Sequence, residues 1–159
     1  MSYYKHTFLN GDQELRDRGL SHLESVKENL DFWFEYGYDS ESYDGDDQEV
    51  IDRFYDLGSF YEYGLCFDFV EATDTNNGYY RYQISWGGPS DEIRFHPDGQ
   101  IEYVFLDWFV GVGFDVSNDD TFKQLKADFQ DMESIDFSSK NYEELYAVND
   151  SDEDSDNDE

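Results

Sequence analysis

The sequence predicts an α+β fold, with helices packed on one face of an antiparallel four-stranded β-meander. Two observations predict it: apolar residues recur at helical spacing near both ends of the chain, and four aromatic-rich runs separated by turn sequences lie between them. A length of 159 residues suits one domain. We therefore expect a single α+β domain over 1–148 and a disordered acidic tail over 149–159, which reads NDSDEDSDNDE.

The helical segments are indicated by apolar periodicity. Residues 12–36 predict one long helix, because Leu15, Leu23 and Leu30 recur on one side of it, and Gly37 is a suitable terminator. A polar loop over 38–49 precedes a short helix that ends near Gly58. A third strong helix is expected at about 119–133, followed by one further turn within 141–148.

The four runs predicted as strands cover 65–70, 79–86, 91–95 and 101–109. In the second run Tyr80, Tyr82, Ile84 and Trp86 alternate with polar residues, which predicts one buried and one wet face. The segment 111–119, GVGFDVSND, is interpreted as a connection that carries the capping residues of the last helix.

Charge dominates the composition. Forty Asp and Glu oppose ten Lys and Arg, a net charge of −30, and without the tail 33 acids still oppose 10 bases. Such a charge is typical of disorder, but 14 Phe, 14 Tyr and 3 Trp supply enough apolar surface for a packed core. The folded body is therefore expected to be a polyanion.

The acids of the first half of the chain form the candidate partner-binding surface. On a helical wheel, five acids of the long helix lie opposite its apolar side, and the loop and short helix add eight more. Like charges four residues apart cost about 0.2–0.5 kcal/mol a pair, so their retention indicates a role outside folding. These residues are Asp17, Glu24, Glu28, Asp31, Glu35, Asp39, Glu41, Asp44, Asp46, Asp47, Glu49, Asp52 and Asp56.

The spacing of the helix acids limits what this helix can do alone. Five charges between Asp17 and Glu35 span about 27 Å, a mean gap near 7 Å, whereas one DNA strand advances about 3.4 Å per phosphate. Imitation of DNA would need further rows from the loop, from the short helix, or from the wet face of the sheet. Glu92 and Glu102 are candidates on that face if the strand register brings them together.

Signals for catalysis, metals and membranes are weak. No nucleophile, Walker or dinucleotide motif occurs, and the three histidines lack metal-ligand spacing. The first carboxylates to examine for catalysis are Asp91 with Glu92 and Asp107 beside Trp108, and Cys66 fits a buried strand position. We therefore expect a protein without catalytic residues, metal or cofactor, located in the cytoplasm.

In composition and charge pattern the chain resembles the small, acidic, aromatic-rich DNA-mimic proteins of phages and plasmids, which include anti-restriction and anti-CRISPR inhibitors. No residue motif carries this resemblance. It implies a non-catalytic inhibitor that binds a basic nucleic-acid-binding protein or complex of the host, without contacting nucleic acid or membrane itself. A homodimer would lengthen the charged track.

Two other functions fit the same composition. An immunity protein or antitoxin against a basic nuclease toxin would use a localised acidic patch with aromatic anchors such as Tyr36, Tyr38 and Tyr43. An acidic chaperone of basic DNA-binding proteins would draw on the acidic tail.

Overall fold

A computed structural model of the protein describes residues 4–147. The class is α+β, as predicted, but the sheet has six antiparallel strands in the order β1-β6-β5-β4-β3-β2. The prediction of four strands is therefore wrong. The strands are β1 (His6–Asn10), β2 (Cys66–Val70), β3 (Tyr79–Ser85), β4 (Ser90–Phe95), β5 (Ile101–Asp107) and β6 (Val110–Asp115).

The helices lie close to their predicted positions: α1 (Gln13–Tyr36), α2 (Gln48–Leu57), α3 (Asp120–Asp131) and the single turn α4 (Tyr142–Leu145). Asp12 begins α1 by accepting a hydrogen bond from the Leu15 amide at 3.0 Å, and Gly37, at φ 118°, ends it. Asp119 caps α3 in the same way, so the capping role predicted for 111–119 is confirmed at its last residue. The predicted tail, 149–159, lies outside the described residues.

The two additional strands pair with each other at one side of the sheet, and the glycines of β6 explain why the sequence concealed them. A Cβ on Gly113 would lie 2.7 Å from the Phe8 ring and would overlap the Thr7 hydroxyl. A Cβ on Gly111 would come within 3.4 Å of the same ring. These glycines are thus strand positions over which Phe8 of β1 packs, although the pattern GVGFD is typical of a loop.

The helices cover one face of the sheet. Leu23, Leu30 and Trp33 of α1 are fully buried, and a Cβ on Gly19 would lie 2.6 Å from Val112, which shows how closely α1 approaches β6. Phe129 of α3 packs against Phe95, with ring centroids 5.9 Å apart. Among the described residues, no helix combines the length and apolar character that crossing a bilayer requires.

A bulge between Gln83 and Ser85 shifts the alternation in β3. Tyr80 and Tyr82 are buried as predicted, but Trp86 is 66% exposed instead of continuing the buried face. Ser85 takes the inward position and its hydroxyl bonds to the buried Asp91 at 2.5 Å.

Candidate functional site

The outward side of α1 carries a row of acids, as the wheel predicted. Asp17, Glu28 and Glu35 are exposed and Glu24 is partly exposed, and we call these four residues the acidic row. Asp31, also exposed, accepts a hydrogen bond from the Thr121 hydroxyl at 2.6 Å and so faces the start of α3. The row accordingly has four members, three exposed and one partly exposed, spread over about 27 Å of helix.

The two cations that flank this row both bond to groups outside it, although one of them is also within ion-pair distance of Asp17. Lys27 donates to the Asp119 carboxylate at 2.9 Å, and that hydrogen bond is the main cause of the raised pKa of Lys27. Burial alone would raise the pKa of Asp119, but hydrogen bonds from Tyr4 and Lys27 lower it below its usual value. Arg16 donates to His6 at 2.6 Å and lies 3.7 Å from Asp17.

A second group of acids lies beside the C-terminal half of α1, because α2 packs there. The rings of Phe32 and Phe54 are 4.7 Å apart, and Arg53 donates to Asn29 at 3.0 Å. Asp39 is partly exposed and the other seven predicted acids of this segment are exposed. We call these eight residues the acidic arm: Asp39, Glu41, Asp44, Asp46, Asp47, Glu49, Asp52 and Asp56.

Some acids of the arm also have local structural roles. Asp39 caps the 3-10 turn at 40–42, Asp47 caps α2, and Asp52 accepts from the Gln48 amide at 2.9 Å. Within residues 4–147, Asp17 is the one member of the thirteen predicted acids that forms an ion pair. The row and the arm therefore keep almost all of their formal charge unpaired.

On the face of the sheet that the helices leave uncovered, by contrast, acids have close partners. Arg94 donates to Glu92 at 2.7 Å, and His96 lies 2.9 Å from Glu102. Arg81 forms two hydrogen bonds with Asp68, at 2.6 and 3.0 Å. Three acids of this face therefore have a cation or an imidazole as partner.

Glu92 and Glu102 do share this face, since Glu102 stands opposite Arg94 in the register of β4 and β5. They are only 5% and 6% exposed, however. Burial alone would raise the pKa of Glu102, but hydrogen bonds from His96 and Thr7 lower it, so its charge is satisfied inside the protein. The expectation that these two acids extend the charged track is not met by the geometry.

The carboxylates considered for catalysis are part of the packing. Asp91 is buried and accepts a hydrogen bond from Tyr103 at 2.5 Å, and burial is the main cause of the raised pKa of that phenol. Asp107 is paired with Arg18 at 2.7 Å. Both carboxylates therefore have partners within the fold.

The aromatic residues available to a partner differ from those that the sequence suggested. The ring centroids of Tyr38 and Phe60 are 4.6 Å apart, and those of Tyr36 and Tyr43 are 5.9 Å apart. All three tyrosines are therefore partly buried. Tyr55 of α2 is instead 90% exposed. Its position on the wheel, one residue after the buried Phe54, is the sequence signal that could have found it.

No group of three or more His, Cys, Asp or Glu side chains in residues 4–147 is arranged to hold a metal ion. Comparisons with protein-family models, curated proteins and solved structures find no match. The function must be inferred from the geometry and charge of this surface.

Proposed function

We propose that the protein is a non-catalytic DNA-mimic inhibitor whose acidic row and acidic arm occupy the basic nucleic-acid-binding site of a host defence complex. A CRISPR effector or a restriction enzyme in the cytoplasm is the class of target we have in mind. The observation that carries the proposal is the uneven pairing of charge. Twelve of the acids that face outward from α1, α2 and their connection lack an ion pair in the described residues or, for Asp17, have a long one. In contrast, the sheet acids Asp68, Glu92 and Glu102 each have a cation or an imidazole as partner.

The charge density supports a nucleic-acid mimic. Outside the tail, 33 acids oppose 10 bases, an excess that corresponds to about 40 Å of duplex DNA, or near twelve base pairs. A domain of this size has a radius of gyration of about 15 Å. The folded body therefore concentrates charge to a degree comparable with the duplex.

The distribution of that charge favours one binding surface. The acidic row alone is sparser than a DNA strand, because four acids cover about 27 Å where a strand carries one phosphate per 3.4 Å. The acidic arm adds eight acids beside the C-terminal half of α1. The arm therefore supplies the further charges that the row lacks, without any contribution from the sheet.

The acidic surface is also preorganised. Trp33 of α1 is fully buried and donates to the Gly58 carbonyl at 3.1 Å, so the helix that carries the row is anchored to the end of α2. A fixed surface loses little conformational entropy when it binds. Association with a basic groove should be fast at low salt and should weaken steeply as salt rises.

The proposal is tested by capture from host lysate on the immobilised full chain, followed by salt-graded elution and identification of the bound protein. The purified partner is then mixed with labelled DNA and increasing amounts of this protein in a gel shift. Displacement of the DNA is expected. A partner that binds no nucleic acid, or that binds DNA and this protein together, would contradict the proposal.

A second function, an immunity protein for a basic nuclease toxin, is favoured by one observation. Tyr55 is 90% exposed between Asp52 and Asp56 on α2, an arrangement suited to an aromatic anchor within an acidic patch. The two functions differ in what they require. A mimic depends on summed charge, whereas a localised patch depends on its central aromatic residue.

A further inference from the structure

Three large aromatic side chains lie exposed at one end of the sheet, away from the acidic arm. Trp86 is 66% exposed, Trp108 81% and Phe109 92%. Trp86 belongs to the β3–β4 turn and the other two form the β5–β6 turn, and these turns emerge at the same end because the strands are antiparallel. We call these three residues the aromatic end.

The aromatic end is an ordered surface. Trp108 packs over the neighbouring turn, where a Cβ on Gly88 would lie 3.0 Å from the indole. Asn10, the last residue of β1, donates to the Phe109 carbonyl at 3.4 Å. Leu9 and Val110, which are 39% and 37% exposed, add apolar surface beside the rings.

One acid at this end is paired, while the start of α1, which follows β1 here, carries the exposed Asp12 and Glu14. Asp107, which precedes the turn, is paired with Arg18 of α1 at 2.7 Å. From Arg18 to the last residue of α1, Tyr36, the helix rises about 27 Å, and the acidic arm begins beyond that point. This distance exceeds three Debye lengths of about 8 Å at physiological salt, so contact between two aromatic ends would keep the two arms well screened from each other.

The exposed area approaches what a stable interface needs. A Trp or Phe side chain buries about 150–250 Å², so at these exposures the three rings offer roughly 350–600 Å². A standard interface takes about 800 Å² from each partner, and Leu9, Val110 and the turn backbone lie alongside to supply the remainder. Exposed apolar patches of this size mark interaction sites.

We infer that the aromatic end is the contact surface of a homodimer related by a two-fold axis. A second copy fits this end because the rings and the apolar groups beside them approach the area that each side of a standard interface takes. The exposed rings of the two turns can pack against the same rings of a second copy, as a two-fold interface requires. The inference does not depend on the proposed function, since the dimer forms without any target.

The arrangement places the two acidic arms at opposite ends of the assembly. Each α1 runs from the shared interface toward its own arm. The dimer therefore has a longer charged track than the monomer, and the two arms do not lie side by side. Salt should therefore act in opposite directions on the two associations. It strengthens the dimer by screening the like-charged bodies, and it weakens binding to a basic target.

The test is sedimentation equilibrium of the full chain from about 1 µM to about 1 mM, at low and at physiological salt. The expected mass is twice the chain mass of 18.8 kDa, with tighter association at the higher salt. The variant Phe109→Ser combined with Trp86→Ser should raise the dimer dissociation constant at least about tenfold. Tyr55→Ser, which removes an equally exposed aromatic outside this end, should leave it unchanged.

A chain mass of 18.8 kDa throughout the concentration range would overturn the inference, as would a dimer that the double variant leaves intact. Tryptophan quenching by acrylamide locates the contact independently. Trp33 is fully buried in either state, so the quenchable signal comes from Trp86 and Trp108. Quenching should increase on dilution through the dissociation constant, and a dimer with unchanged quenching would place the interface elsewhere.

Discussion

Lys27 donates to the Asp119 carboxylate at 2.9 Å, and this ion pair ties the middle of α1 to the start of α3. Tyr4 donates to the same carboxylate at 2.6 Å. The cation that lies nearest along the helix to Glu24 and Glu28 is thereby engaged with the N-cap residue of α3. Among the described residues, Glu24 and Glu28 are left without an ion pair because their neighbouring cation stabilises the fold.

We expect Asp119→Asn to lower the free energy of unfolding at pH 7 by about 1.5–3 kcal/mol, the range for a hydrogen bond to a charged group. Asparagine can still cap α3, so the lost free energy of unfolding reports the removed carboxylate charge and not a lost helix cap. The pKa of Asp119 is lower in the folded protein, so its contribution is present above the ordinary pKa near 3.8 and disappears as the pH falls through the lowered value.

Urea unfolding of the wild type and of Asp119→Asn as a function of pH checks this expectation. The difference between them should be constant from pH 7 down to about pH 5 and should shrink below about pH 4. A difference that persists at the lowest pH would show that packing, and not the carboxylate charge, stabilises this contact.

Salt should stabilise the fold. The acidic row keeps Glu24 and Glu28 four residues apart, and such like-charge pairs cost about 0.2–0.5 kcal/mol each at low salt. Raising NaCl from about 0.02 to 0.5 M shortens the Debye length severalfold and should raise the urea midpoint. Replacing Glu24, Glu28 and Glu35 by Gln should raise the low-salt midpoint and flatten its salt dependence; a midpoint that falls with salt would contradict this view.

The helices, their caps and four of the strands could be predicted because their signals are local. Leu15, Leu23 and Leu30 share one side of α1, and Gly37 ends it at a positive φ. β1 and β6 could not be predicted, because the need for Gly111 and Gly113 in a strand comes from the ring of Phe8, a residue about a hundred positions away. Propensity assigns such glycines to a loop, and tertiary packing overrides that assignment.

The same limit applies to the candidate site. The outward position of Glu28 and Glu35 follows from the helical period, which the sequence contains. Glu92 has its cation, Arg94, two residues along the same strand, whereas the contact of Glu102 with His96 needs β4 and β5 to pair, which the sequence does not reveal. Local periodicity thus located the charged helix, while the partners of the sheet acids came partly from within a strand and partly from the pairing of strands.

Gly113→Ala tests the packing of β1 over β6. The added methyl would overlap Thr7 and crowd Phe8, and we expect a loss of about 1–3 kcal/mol in the free energy of unfolding. In a Thr7→Ala background the same substitution should cost less, because its closest neighbour is gone. Equal costs in both backgrounds would mean that β1 does not lie where the structure places it.

Tyr55→Ser separates the two candidate functions. The side chain is 90% exposed, so the urea midpoint should stay within the error of the wild type. For a charge-based mimic, affinity for the captured partner should change by less than about threefold. A loss of about tenfold or more, with the fold intact, would identify Tyr55 as an interface anchor and favour the immunity function.

DNA displacement from the captured partner should depend on the unpaired charge of α1, and one comparison measures that dependence. Glu24, Glu28 and Glu35 are replaced by Gln in one variant, and Glu71, Asp74 and Glu133, three exposed acids outside the row and arm, are replaced by their amides in the control. Both variants change the net charge equally. If the acidic row binds the nucleic-acid site, the first variant should require at least about tenfold more protein for half-displacement and the control should match the wild type; equal potency of the two variants would contradict it.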